Sequence, residues 1–486
     1  MSKHVIGIDS GTTSCRSIVF DLSGIPKPIA LAQKEFPQYF SSDGWLEHNA
    51  MEILQAQIEC IKESVERAGL NASQIACVGI ANQRDTCLLW DKSTGKPIGR
   101  AVTWQCRSPR EIDSEISHHA EFFRQKTGLI ASSKFAGPKA KWLLDLYPDS
   151  RALAAQGKLA FGTVDTWLIW NLTRERNHFT EPSNASQTAL CDLATLEWDE
   201  ELLRLSSVPG SILPKIVDSN ALFGLTNEKL VGFTAPVLAV LGDQQAALFG
   251  QGCLQEGTAK CTYGTGGFLS RNIGTKTSLM PGLQTAAAWK LENQAPIYAL
   301  EGVTFIAGAA LQWLRDGIGV IANSDQSEEL ALSLSSNDGV YFVPALAGLG
   351  SPWWNEDVRG TITGLTRSTG PAHLVRAALE SMAYQVADMA SGFDGKLIEL
   401  RVDGGATRNK FLLQFQSDLL GVPVIRSAQA ESTVWGVAAL AAIRAGLIDE
   451  NDISGQGAVT FYPQGNRDYD YAGWKRALKA ALAAVD

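Results

Sequence analysis

Short apolar runs that end on a polar or glycine-rich turn recur along the chain. The first, Val5-Ile6-Gly7-Ile8, lacks alternation and predicts a strand covered on both faces. It runs into Asp9-Ser10-Gly11-Thr12-Thr13-Ser14, and a second apolar run, Ser17-Ile18-Val19-Phe20, follows. The pair predicts a hairpin whose turn hangs on Gly11. Helical spacing over 51–68, a strand over 76–81 and a helical run over 139–146 come next. In the second half, 236–241 reads as a strand that stops at Gly242-Asp243, with a helix over 244–249. Strands at 259–263 and 268–270 flank Gly264-Thr265-Gly266-Gly267, and a strand at 398–402 leads through Asp403-Gly404-Gly405 into a helix over 409–420. The strand, Gly/Thr turn and strand near the start of each half form an internal repeat in pattern. The βα alternation makes the fold class α/β. No Pro- or Ser-rich linker parts the halves, and the expected boundary near 245 gives domains 1–245 and 246–486 facing each other across a cleft.

Composition narrows the function. The 486 residues are 45% hydrophobic and 19% charged, which excludes a disordered or coiled-coil chain. A net charge of −9 speaks against a nucleic-acid binder, so an anionic substrate needs its own cationic pocket. No run of about 18 apolar residues exists to span a membrane, the run at 434–443 being cut by Arg444. The N-terminus passes straight into a strand instead of a signal peptide's long apolar core. Eight cysteines without a CxxC pair read as reduced, buried thiols, so a cytoplasmic protein is expected.

There is no P-loop, no GxGxxG and no HExxH, and the six histidines lack metal-ligand spacing. Two Gly/Thr turns remain. Successive backbone N–H groups and hydroxyls at 10–14 and at 263–267 can converge on phosphate oxygens, with Arg16 near the first, or each can be a plain hairpin turn. Asp9 ends a buried strand, where it can serve Mg²⁺ or only bond the turn. Asp243 can take a proton from a substrate hydroxyl or cap the helix that follows. Gly404-Gly405 suits either a flat ligand or tight strand–helix packing.

Taken together these segments resemble the FGGY carbohydrate kinases, closest to those that phosphorylate glycerol. The resemblance runs from Val5 to Trp474 and rests on the runs 7–14, 80–84, 103–107, 161–170, 242–250 and 263–266, with a second signature at 360–365 and 373–380. It implies two duplicated actin-like (ribonuclease H-like) ATPase domains closing over ATP and a small polyol, and transfer of the γ-phosphoryl group to a terminal hydroxyl. Carried over by position, Asp243 is the general base and Asp9 serves Mg²⁺. Arg84, Asp85, Trp104, Lys134, Gln244 and Phe268 line the polyol pocket. Thr12, Thr13, Ser14, Arg16, Thr265, Gly308, Gln312, Gly405 and Asn409 hold the nucleotide. The resemblance also implies a homo-oligomer, a dimer or tetramer. An actin-like filament, chaperone or sensor that is not a kinase is disfavoured by the retained Asp243 and polyol-pocket residues.

Two positions depart from the glycerol pattern, which usually has Glu at Asp85 and Tyr at Lys134. The two can pair and neutralise each other, or they can be shaped for a tetritol, dihydroxyacetone or glycerate. Some family members also bind a sugar bisphosphate through a Gly-rich, Arg-bearing loop. The matching stretch here, 226–234, has one glycine and no arginine. Fructose 1,6-bisphosphate is therefore expected not to inhibit turnover; saturable inhibition in a steady-state titration would refute this.

Overall fold

The computed structural model describes residues 3–41, 45–106, 112, 116–427, 431–454 and 457–485, so Arg107 of the 103–107 motif lies outside them. The chain opens with β1 (His4–Ser10), β2 (Ser14–Asp21), β3 (Lys27–Glu35), α1 (Ala50–Arg67) and β4 (Ile75–Asn82). After α2 (Ala136–Leu146) come β5 (Gly224–Leu225), β6 (Pro236–Gly242) and α3 (Asp243–Gly250). The second half has β7 (Thr258–Tyr263), β8 (Gly267–Asn272), β9 (Gln284–Trp289), β10 (Ile297–Thr304), α4 (Gly308–Gln312) and α5 (Pro371–Ala390). It continues with β11 (Glu399–Asp403), α6 (Lys410–Leu420), β12 (Val424–Arg426), α7 (Ser432–Arg444) and β13 (Val459–Phe461).

The sheet orders are β5-β6-β4-β1-β2-β3 and β9-β10-β8-β7-β11-β12-β13. In the first, β6, β4 and β1 are parallel, β2 is antiparallel to β1 and β3 antiparallel to β2. In the second, β12, β11 and β7 are parallel, β8 is antiparallel to β7 and β10 antiparallel to β8. The repeat legible in the turns is thus a repeat of topology, with α3 and α7 in equivalent places after the third parallel strand.

The unbroken apolar character of β1 and β4 follows from cover on both faces. One face meets α1, and the other meets α7, which comes from the opposite half of the chain. The fit to α7 is backbone-close. A methyl on Gly7 would strike the Val434 carbonyl oxygen, and one on Gly79 would strike that of Val437. The helices α3 and α7 meet equally closely, since Gly436 lies against the Ala246 carbonyl and Gly250 against that of Ser432. The apolar cluster around them joins Val5 and Ile18 of the first sheet to Ala288 and Ala299 of the second. A separate five-stranded antiparallel sheet (Tyr39–Phe40, Leu46–His48, Cys87–Asp91, Pro97–Val102 and Leu159–Thr163) branches from the first half.

No helix among the described residues is long and apolar enough to cross a membrane. All eight cysteines are buried, and none forms a disulfide.

Forcing a side chain between β4 and α7 costs overpacking energy, so Gly79→Ala is expected to destabilise the fold by about 1–3 kcal/mol. Gly24→Ala, whose methyl would meet nothing within 4 Å, is the control. Urea unfolding midpoints of the two variants check this.

Candidate active site

Parallel strands deliver their carboxyl ends to one edge of the sheet, which is where open α/β folds bind ligands. Here β1 ends at Asp9-Ser10, β4 at Asn82 followed by Gln83-Arg84-Asp85, and β6 at Gly242 followed by Asp243. Asp9 is paired with Ala81, and Gly242 with Asn82.

Asp9 is buried, and its Oδ1 has no hydrogen-bond partner among the described residues. Burial first, then the charge of Asp243, pushes its carboxyl up to about 7, against a smaller opposing pull from Arg16. Asp243 does not cap α3, as one reading of the sequence had it: Gly242 is the cap and Asp243 is the first helical residue. Its Oδ1 accepts from the Gln244 N–H at 2.7 Å and lies 3.4 Å from Nε of Arg84. The turn into Asp243 is pinned from behind, where Ser183 Oγ accepts from the Gly242 N–H at 2.9 Å and donates to buried Glu181. Burial lifts the Glu181 carboxyl to about 7 despite that and four further donors from Ser183, Asn184 and Ser219.

The two Gly/Thr turns have the tight form that the sequence suggests. Gly11 N–H donates to the Ser14 carbonyl at 3.0 Å, and Gly264 N–H to the Gly266 carbonyl at 2.9 Å. Their side chains are partly committed. Thr12 Oγ1 accepts from Trp104 Nε1 at 2.9 Å, Ser14 Oγ from Gln33, while Thr13 stays exposed. Arg16 is paired with Glu431, at the approach to α7, at 3.0 Å. The second turn is joined to α4, since Ala307 N–H donates to Thr265 O and Gly308 N–H to Gly264 O. Gln312 lies exposed at the end of α4. The two readings of Gly404-Gly405 divide between the residues. Gly404 sits at φ 91° against the Tyr263 carbonyl, which is packing, while a side chain at Gly405 would meet nothing within 4 Å. Asn409 caps α6 through the Leu412 N–H at 2.9 Å and donates to Ser327.

The polyol set gathers between the halves. Arg84 donates to Glu301 of β10 at 2.8 Å. Burial would lower the Arg84 pKa, but the charges of Glu301 and Asp243 overcome it and leave it raised. Glu301 also accepts from Gln245 at 2.7 Å and Gln187 at 3.3 Å. Gln244 Oε1 accepts from fully buried Lys260. Phe268 is half-buried on β8, opposite Thr262 and Val303. Asp85 adopts φ 63°, a conformation that Asp tolerates better than most residues.

The suggested Asp85–Lys134 pair does not form as such. Asp85 accepts from the Ala136 N–H at the start of α2, at 3.1 Å, and its nearest cationic influences are Lys139 and Arg84. Lys134 instead lies 3.7 Å from Glu356 and over the Phe305 ring, both in the other half. Lys139 is fully buried, with no hydrogen-bond partner for its Nζ among the described residues.

Lys139, Lys260, Glu301 and Glu431 escape the sequence reading. Lys260 had a visible signal, a cation inside the apolar run 259–263. Glu301 had none, because nothing in its own run tells that Arg84 will lie opposite.

Models of the FGGY family of carbohydrate kinases match this chain twice, the N-terminal domain over 4–250 and the C-terminal domain over 259–445. The chain belongs to that family. It is 46% identical to glycerol kinase 2 of Thermotoga maritima, over 99% of each chain. It is 45% identical to the glycerol kinase of Geobacillus sp., over 99% of this chain and 100% of that one. Among solved structures, Plasmodium falciparum glycerol kinase with ADP superposes with a TM-score of 0.93 at 31% identity, covering 99% of this chain and 98% of that one. A gluconate kinase from Lactobacillus acidophilus, at 20% identity, shares the fold with a TM-score of 0.88, over 100% of this chain and 98% of that one. The architecture is the two-domain actin-like ATPase fold, and the protein is an ATP-dependent carbohydrate kinase.

Burial raises the Asp85 carboxyl to about 6 even with Lys139 and Arg84 close by. It is a carboxylate above that pH and a neutral acid below it. If it grips the acceptor as a carboxylate, the acceptor KM rises by about five- to tenfold between pH 7 and pH 5. In Asp85→Asn the rise disappears. KM profiles of the two proteins check it.

Proposed function

We propose that this protein transfers the γ-phosphoryl group of ATP to a terminal hydroxyl of glycerol, giving glycerol 3-phosphate and ADP. The observation that carries the reading is the cluster at the strand ends: Asp243 beside Arg84, Arg84 on Glu301, and Gln244 on Lys260. The glycerol kinases at about 45% identity over nearly the whole chain support it.

Phosphoryl transfer needs positioning and charge compensation more than covalent catalysis. Asp243 Oδ1 is engaged by Gln244 N–H and Arg84, so Oδ2 is the oxygen that receives the acceptor's proton. Arg84, held from the other half by Glu301, donates to the acceptor and fixes it against Asp243. The turns at Gly11 and Gly264 approach the nucleotide phosphates from opposite halves, and open Gly405 leaves room for a flat base. Trp104, tied to Thr12, links the acceptor wall to the first phosphate turn. The residues also fit Mg²⁺. The unpartnered Oδ1 of Asp9 and the like charge of Asp243 beside it describe a carboxylate short of a cation. Mg²⁺ bound there would neutralise phosphate charge. A cytoplasmic setting and a homo-oligomer belong to the same reading.

One observation bears on an acidic acceptor such as glycerate. The charge of Lys134 is already answered by Glu356 and the Phe305 ring, which favours a neutral polyol.

The test is ADP release with Mg·ATP against glycerol, erythritol, threitol, dihydroxyacetone and D-glycerate. Glycerol is expected to give the highest kcat/KM. An alternative acceptor ahead by tenfold, about 1.4 kcal/mol of transition-state preference, would replace it. Absence of acceptor-dependent ADP release would remove the kinase role. Asp243→Asn is expected to lower kcat by about 10²–10⁴ with little change in the KM for ATP.

A further inference from the structure

Lys260 is fully buried on β7, with Ser270 and Arg401 opposite it on the flanking strands. Burying an ammonium is costly, and a methionine would fill the space, so the charge has a use. Its Nζ donates to Gln244 Oε1 at 2.5 Å and to Thr262 Oγ1 at 3.2 Å. Asp403, Asp243 and Glu301 surround it at longer range, and their charges oppose the drop in pKa that burial imposes.

The shape of a glutamine amide does not tell its oxygen from its nitrogen; its partners do. An ammonium has donors and no acceptor, so the amide atom against Lys260 is the oxygen. The NH2 group is then the end left for a ligand. We propose that Lys260 is a positioning residue for acceptor binding: by holding Oε1 of Gln244 it makes that side chain meet the polyol as a hydrogen-bond donor. This rests on the reading that Gln244 lines the acceptor pocket.

The consequence is a division of labour among the pocket side chains. Arg84 and Gln244 offer only N–H donors, while Asp85 and Asp243 offer acceptors. A hydroxyl, which both donates and accepts, satisfies both sets. The acceptor must therefore present an oxygen lone pair to Gln244, and an ammonium or a methyl group in that place is refused. Lys260 does this work from the second half of the chain upon a residue of the helix that closes the first.

The test is a double-mutant cycle in the full-length enzyme with glycerol and Mg·ATP. Lys260→Met is expected to raise the glycerol KM by at least about fivefold, with the KM for ATP within about twofold of wild type. In a Gln244→Ala background the same change is expected to move the glycerol KM by less than about twofold. Equal fold-changes in both backgrounds would mean that Lys260 acts by its charge alone and would overturn the proposal, as would an unchanged KM in Lys260→Met. Should Lys260→Met not fold, Gln244→Glu decides. It keeps an oxygen for Lys260 but replaces the NH2 with a second acceptor, so the glycerol KM is expected to rise at least about tenfold. A wild-type KM in Gln244→Glu overturns the proposal. Wild-type enzyme that ignores glycerol but turns over another polyol fails only the choice of acceptor, and the cycle is then run with that polyol. Wild-type enzyme that turns over no polyol removes the pocket itself, and the proposal with it.

Discussion

Two helices that touch backbone to backbone are the constraint on which the rest of the molecule depends. The contact of α3 with α7 at Gly250 and Gly436 leaves no room for a methyl group on either side. It brings the helix that follows the third parallel strand of each half between the two sheets, so that one apolar cluster serves both. The same closeness lets α7 lie on β1 and β4 through Gly7 and Gly79. Because α3 is fixed in this way, its first residues, Asp243 and Gln244, arrive at a set height beside Asp9 and Arg84. The proposed acceptor site is therefore a product of the helix crossing as much as of the strands that end there.

The charges gathered at that point do not cancel pairwise. Asp9, Asp243, Glu301 and Asp403 lie among Arg84 and Lys260, and at an effective dielectric near 20 two like charges about 4 Å apart repel by about 4 kcal/mol. At Asp9, burial first and the charge of Asp243 second push the carboxyl up to about 7. Among the described residues, Oδ1 of Asp9 and Oδ1 of Asp403 are both buried without a hydrogen-bond partner. Arg84 is the exception. It is shared between the two halves by Glu301 and Asp243, and is thereby tied to the relative placement of the halves.

Most of the architecture was legible in the sequence because it is written in local terms. Apolar runs without alternation gave β1, β4 and β6, and Gly/Thr turns gave both hairpins, with boundaries that differ by one to three residues. The repeat was visible in those turns and is confirmed by matching strand orders. For Asp243 the residues left two readings open, a proton acceptor or a helix cap, and the resemblance favoured the first; the structure decides against the cap because Gly242 already holds that position. The residues that escaped are those defined by distant partners. Glu301 meets Arg84 across more than 200 positions of sequence, Arg16 meets Glu431 across more than 400, and Lys134 turns to Glu356 and not to Asp85. Local pattern carries no trace of such pairings, because each depends on how the halves fold against one another.

The glycine crossing also sets how little sequence change the junction of the halves tolerates. A side-chain interface can repack after a substitution, since its neighbours can change rotamer; two backbones in direct contact have nothing to repack. A methyl group at 250 or 436 would have to push the helices themselves apart, and with them the sheets that share their apolar cluster. The positions that join the two halves carry no side chain at all.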